Sequence, residues 1–383
     1  MISRLINTEL RKSPKSILLL GPRQVGKSTL LQSLEPDLSL SLVDETDFLA
    51  LSQSPGELEA RIASTNAKTI LIDEIQRLPS LFNSIQALLD QKKYKDKLKF
   101  YLSGSSARKL KRGKANLMPG RIITYEIGPL CSAELNYEMN TTKALEMGSL
   151  PQPYLNEDRK WQEKILSSYA GIYLKEEIQA EALTQNIQGF SRFLTVAAEN
   201  AGRFLDLSKL STKAKVSRQS AIRFFEILED TMIAKRILNY DKIETADIVK
   251  HPRYFFFDQG VLNALLKNFT ASADRIGNLF EHLFINQVIN SAKARDQQIE
   301  IYGFRTRSGL EVDFLIEINK TLWAVETKAT DNISTSDLSS LLQFRKKYFP
   351  KAKLAIAYTG NNPKKIDGIS ILPWQQLLKE MGL

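Results

Sequence analysis

Gly21, Gly26, Lys27 and Ser28 stand in the order G-x-x-x-x-G-K-S within GPRQVGKST, directly after the apolar run SILLL and ahead of KSTLLQSL. Glycines at those two positions let the backbone curl until its N–H groups face phosphate oxygens. A lysine in this slot reaches the β and γ phosphates, and the serine hydroxyl suits Mg2+. The stretch Gly21, Pro22, Arg23, Gln24, Val25, Gly26, Lys27, Ser28 and Thr29 is therefore the expected cradle for ATP with Mg2+. Further on, TILIDEIQ reads as a buried strand ending in Asp73 and Glu74. Asp73 is expected to steady the metal, and Glu74 to take a proton from the attacking water. A third strand, KFYLSGSS, offers Ser103 or Ser105 to the γ-phosphate or the lytic water. Arg121, in MPGR, reads either as an arginine finger acting across a homo-oligomer boundary or as a surface arginine beside a turn.

A second set of reactive side chains lies in EVDFLIEINKTLWAVETK, residues 311–328. Strand alternation puts Glu326 and Lys328 on one face and Val325 and Thr327 on the other, while Asp313 shares a face with Glu311. If the two strands are neighbours, Asp313 and Glu326 converge on one hard cation, with Lys328 beside it. Phosphodiester hydrolysis uses those parts: carboxylates hold Mg2+, the metal activates water, and an ammonium steadies the phosphate charge. Glu281, in NLFEHLFINQV, shares a helical stripe with Phe284, Ile285 and Val288, so it must be paired, protonated or metal-bound. Its alternative partners are Arg305 and Arg307. Asp258 is expected to cap a helix or to add a ligand, and Gln343 faces a similar choice.

The elements that must position these residues fall into an α/β chain of three blocks. Residues 1–145 alternate short apolar strands with helices, the pattern of a parallel sheet flanked by helices, as in P-loop NTPases. Residues 146–250 begin in a proline-bearing linker and continue as helices, two of them joined by AKVSR. There Ser217 is placed as an N-cap for a helix carrying Ile222, Phe225, Ile227 and Leu228. Lys213, Lys215, Arg218 and Gln219 could face a nucleic-acid backbone, or the pair could be a packing unit only. Residues 251–383 read as a mixed α/β unit.

Composition sets the outer limits. Of 383 residues, 43% are apolar and 25% charged, the balance of a globular protein rather than a disordered one. A single cysteine, Cys131, excludes an intramolecular disulfide and a cysteine zinc cluster. His251 and His282 are the only histidines and belong to no Cys/His cluster. Apolar runs are too short for a membrane span, so a cytoplasmic protein is expected. The formal net charge of +10 favours a polyanionic partner, with surplus surface lysine as the plain alternative. The basic tracts 91–100 and 107–116 flank one strand and are expected at one end of a domain.

GPRQVGKST, LIDEIQRLP, LSGSS and PGR together resemble the AAA+-type ATPases of a prokaryotic family. The C-terminal half of that family resembles a restriction-endonuclease-like, PD-(D/E)xK fold preceded by a winged-helix region. PRYFFFDQG, GNLFEHLF and RTRSGLEVDFLIE fit the same pattern. The resemblance implies the order of the folds and a nuclease-like site built from Glu281, Asp313, Glu326 and Lys328. Thr327 is a departure, standing where an apolar residue is common. Three functions are then open: an ATPase coupled to DNA binding and cleavage, an ATPase whose third block binds without cutting, and a switch ATPase acting on another protein.

Overall fold

The computed structural model describes residues 2–94, 96–105, 119–173, 186–243 and 247–383. The basic tract 107–116 falls outside the described residues. Two compact units divide the chain. The first runs to Gly128 and includes Asp230–Met232 and Lys293–Asp296; the second takes in the remainder from Pro129.

In the first unit, β1 (Ser16–Leu20), β2 (Leu38–Ser41), β3 (Thr69–Asp73), β4 (Lys99–Gly104) and β5 (Ile122–Glu126) form one sheet in the order β2-β3-β4-β1-β5. Every pairing is parallel. A sheet of this kind is covered on both faces, which is why β1 is buried along its whole length and reads as an unbroken apolar run. Leu18, Leu40, Ile70, Ile72 and Leu102 join Phe82, Ile85 and Leu88 of the helix α2 (Leu81–Asp90) in its core. Because β4 lies between β1 and β3, the strand bearing Ser103 separates the phosphate-loop strand from the strand bearing Asp73. All the strands run the same way, so the ends of β1, β3 and β4 meet on one rim. Ile72 and Leu18 both align with Leu102, which sets Asp73 and Leu19 level with Ser103.

The second unit holds α3 (Ile187–Glu199), α4 (Leu207–Ala214) and α5 (Arg218–Asp230), with a two-stranded antiparallel ribbon of β6 (Ala234–Ile237) and β7 (Arg253–Phe256). Ser217 does cap α5: its Oγ accepts from the N–H of Ser220 at 3.0 Å. Phe225, Ile227 and Leu228 are buried as expected, but Ile222 is 44% exposed and Phe224 takes the inward place. Phe224 stacks edge-on against Phe190 of α3, so ring packing rather than aliphatic spacing fixes this helix's inner face.

A six-stranded sheet completes the unit, in the order β12-β13-β11-β10-β9-β8. Its strands are β8 (Ile299–Arg305), β9 (Glu311–Ile318), β10 (Thr321–Lys328), β11 (Lys353–Tyr358), β12 (Lys364–Ile366) and β13 (Ile369–Pro373). β8, β9 and β10 form an antiparallel meander, while β10, β11 and β13 are parallel. Phe304, Val312, Leu315, Leu354 and Ile356 pack beneath Leu341 and Phe344 of the helix Ser339–Lys347.

Candidate functional site

The phosphate loop leaves β1 and enters α1 (Lys27–Gln32) through Gln24 and Gly26, whose φ values are 63° and 92°. Gly26 suits that left-handed geometry at no steric cost. Gly21 is required for a different reason, since a Cβ there would collide with the carbonyl oxygen of Ile127. Lys27 is buried, and its Nζ donates to the carbonyl oxygens of Gly21 and Pro22, both at 2.9 Å. Arg4, not singled out by any motif, braces the loop from outside. Its guanidinium donates to the Val25 carbonyl at 2.6 Å and to that of Gly128 at 2.8 Å. Ser28 and Thr29 are exposed at the start of α1, while Pro22 and Val25 are buried and Arg23 and Gln24 partly so.

Opposite the loop, the Ser28 hydroxyl meets both carboxylate oxygens of Asp73, at 2.8 and 3.0 Å. Ser103 donates its hydroxyl proton to Asp73 and accepts from the backbone N–H of Glu74 at 3.0 Å. One hydroxyl thus fixes both acidic positions. Glu74 itself has φ 57°, an uncommon conformation for a non-glycine residue. Its carboxylate accepts from the Gln76 amide, and Ser105 lies 3.3 Å away. Gln76 also donates to Ser105 at 2.8 Å, and its own Oε1 is buried without a hydrogen-bond partner. Sequence reading named both serines and missed Gln76; the signal was an amide two residues after the carboxylate. Lysine, hydroxyl and carboxylates stand on one rim, and this donor set fits a nucleoside triphosphate with Mg2+. Arg121 lies at the start of β5, on the opposite rim, and forms an ion pair with Asp90.

In the second unit, the β9–β10 ladder ends with Val325 opposite Phe314, so Glu326 and Asp313 are the next pair beyond it. The two carboxylates are therefore cross-strand neighbours. Glu281, on the helix α7 (Ile276–Ala294; α6 is Gln259–Leu265), joins them, but through a residue that the sequence did not flag. Arg253, at the start of β7, is 3% exposed; its guanidinium pairs with the Glu281 carboxylate and donates to the Asp313 carbonyl. Neither Arg305 nor Arg307 takes that role: Arg305 pairs with Glu311 and Arg307 with Asp247, each at 3.4 Å. Phe314 lies 4.8 Å from the Arg253 guanidinium, and Phe204 and Phe255 lie 5.3 Å from it. The Asp313 carboxylate is turned to Thr327, accepting from its N–H and its hydroxyl, both at 2.8 Å. Lys328 stands 4.0 Å from Glu326 and 3.6 Å from Asp337.

This arrangement differs from an open cation trap. Among the described residues, no group of three or more His, Cys, Asp or Glu side chains is disposed to hold a metal ion. Arg253 pairs with Glu281 and Lys328 stands beside Glu326 instead. Burial pushes the Glu281 carboxyl up to about 8, with the Arg253 charge opposing and the Asp313 charge adding to the rise. Burial also holds Glu326 well above its ordinary range, followed by repulsion from Asp313. Asp258 acts as the cap of α6, accepting from the Val261 N–H at 3.1 Å and also from Ser149 at 2.6 Å. Gln343 is exposed on its helix, as are Lys213, Lys215, Arg218 and Gln219 around the α4–α5 turn.

Residues 13–136 match the family described as an AAA domain. Residues 140–272 and 276–377 match two domains of unknown function, DUF8612 and DUF4143. Rv2008c of Mycobacterium tuberculosis and Mb2031c of Mycobacterium bovis are each 23% identical over 376 residues, covering 94% of this chain and 80% of theirs. Among solved structures, a replication initiator DnaA bound to AMPPCP and single-stranded DNA is similar at 15% identity and a TM-score of 0.28, over 58% of this chain and 85% of that one. Among the described residues no helix is long and apolar enough to cross a membrane. Residues 13–136 form an AAA-type P-loop ATPase domain, and the chain continues into a DUF4143 domain over 276–377.

Proposed function

We propose that this chain is a Mg2+-dependent ATPase working as a nucleotide-driven switch on nucleic acid, its nuclease-like C-terminal unit serving to bind rather than to cut. The observation that carries the reading is the joint hold of Ser103 on Asp73 and on the Glu74 backbone, within reach of Ser28 on the phosphate loop. Lys27 would exchange its loop carbonyls for phosphate oxygens, and Ser28 and Asp73 would hold the metal. Bound Mg2+ neutralises phosphate charge during transfer. Glu74, steadied by Gln76 and Ser105, takes the proton from water. The net charge of +10 and the exposed Lys215, Arg218 and Gln219, on a helical pair with a ribbon suited to a winged-helix reading, support the nucleic-acid part.

Arg253 favours the non-cutting version, because its guanidinium already occupies the Glu281 carboxylate. Adjacency of Asp313 and Glu326 is what favours a second reading, cleavage at that cluster. ATP turnover by purified protein tests the first reading. Lys27→Ala is expected to lose ATP binding, and Glu74→Gln to keep binding while turnover falls by a factor on the order of 100 or more. Parental turnover in Glu74→Gln would refute its role as base. Supercoiled plasmid with Mn2+ or Mg2+ decides between the readings: we expect no nicking beyond that of Asp313→Ala, and nicking lost in that variant would establish the cutting site.

A further inference from the structure

The same parallel sheet that gathers the nucleotide residues on one rim gathers cations on the other. Ser16 aligns with Ile122, Thr69 with Lys99 and Ile17 with Tyr101. Lys68, Lys99, Lys15 and Arg121 therefore stand at or just before the starts of β3, β4, β1 and β5, in that order across the sheet. Neighbouring strands are about 4.8 Å apart, so the row is roughly 14 Å long.

A cavity of about 460 Å³ opens at this rim, lined by Lys15, Lys97, Lys99 and Arg121 together with Asp90 and Asp96. Asp90 is engaged by Arg121, and Asp37 lies near Lys68. Lys15, Lys97 and Lys99, by contrast, have no carboxylate partner among the described residues. Lys99 is the telling one. Partly buried, it donates to the Ser13 carbonyl at 2.7 Å, and burial pushes its ammonium downward with no acid to offset the cost. A half-buried cation of this kind is relieved by an anion.

We propose that this rim of the N-terminal unit is a contact for the phosphodiester backbone of nucleic acid, through Lys15, Lys97 and Lys99. Three cations without a carboxylate partner at one cavity favour a chain of phosphates over a free one, and the rim lies away from the phosphate loop, so polyanion and nucleotide do not compete. The inference rests on the nucleic-acid part of the proposed function and assigns it a surface.

Fluorescence anisotropy with labelled single- and double-stranded oligonucleotides, titrated with salt, tests it in the full-length protein. The Lys15→Ala/Lys97→Ala double variant changes two exposed side chains, so ATP binding should stay at the parental level. Its affinity is expected to fall about tenfold or more at low salt. The slope of log affinity against log salt on duplex should flatten by about 1.8, from two lost phosphate contacts. Parental affinity and slope in the variant would overturn the rim while leaving nucleic-acid binding in place. Absence of binding by the wild type would overturn both, leaving the ATPase reading intact. Anionic phospholipid vesicles or inorganic polyphosphate captured through these lysines, where DNA is not, would reassign the rim and sink the proposal.

Discussion

At the scale of single residues, the two sites handle charge in opposite ways. Asp73 and Glu74 are held by hydroxyl, amide and backbone groups, which fix direction without cancelling charge, so both stay able to meet a metal and a water. Around Glu281 the protein supplies the cation itself, through Arg253. A buried carboxylate beside only one guanidinium, with Asp313 near, pays for its charge by favouring the protonated form. That has a measurable consequence. Glu281 lies at about 8 in the fold against an ordinary 4.5, so its contribution to stability is complete below pH 4.5 and is lost as pH rises through 8. Glu281→Gln, neutral throughout, should remove that slope. Denaturant melts between pH 5 and pH 9 should show wild type losing a few kcal/mol relative to the variant. Parallel pH profiles for the two proteins would show that Glu281 is charged throughout.

At the scale of elements, turn chemistry sets how the C-terminal acids meet. Asn319 and Lys320 both have positive φ, 49° and 62°, and join Ile318 to Thr321 in a two-residue hairpin. Two left-handed residues match the twist of the strands they connect, and that register brings Asp313 opposite Glu326. Asn tolerates the conformation; Lys has no such excuse. Lys320→Gly is therefore expected to stabilise the protein by roughly 1 kcal/mol, read as a higher denaturant midpoint with an unchanged slope. An unchanged or lower midpoint would mean that the Lys320 side chain contributes more than its backbone costs. The phosphate loop, the Asp73–Glu74 strand end and the β9–β10 pair were legible in the sequence because each is a local pattern: a glycine spacing, an apolar run, an alternation. Arg253 was not, because it reaches Glu281 and Asp313 only after residues far apart in the chain have folded together. The same holds for Ile222 and Phe224, whose exchange depends on the Phe190 ring of another helix.

At the scale of the whole molecule, the described residues include two hydrophobic cores with no residue in common. One is built on Leu18, Ile72 and Phe82 around the parallel sheet, the other on Phe304, Leu315 and Phe344 beneath the mixed one. Cores without common residues can melt as separate cooperative units, and a ligand that binds one native unit raises the melting temperature of that unit alone. The phosphate loop, Asp73 and Ser103 all lie in the first unit. Calorimetry of the full chain should accordingly resolve two transitions. Adding Mg2+ with a non-hydrolysable ATP analogue at 100 times its Kd should stabilise the first unit by about 2.7 kcal/mol, displacing one transition upward by a few degrees. Lys27→Ala should abolish the displacement without moving the other transition. If both transitions rise together, nucleotide energy reaches the C-terminal unit directly, and the switch is coupled even in the absence of its partner. If only one rises, the coupling that a nucleotide-driven switch needs must be completed by what the protein binds.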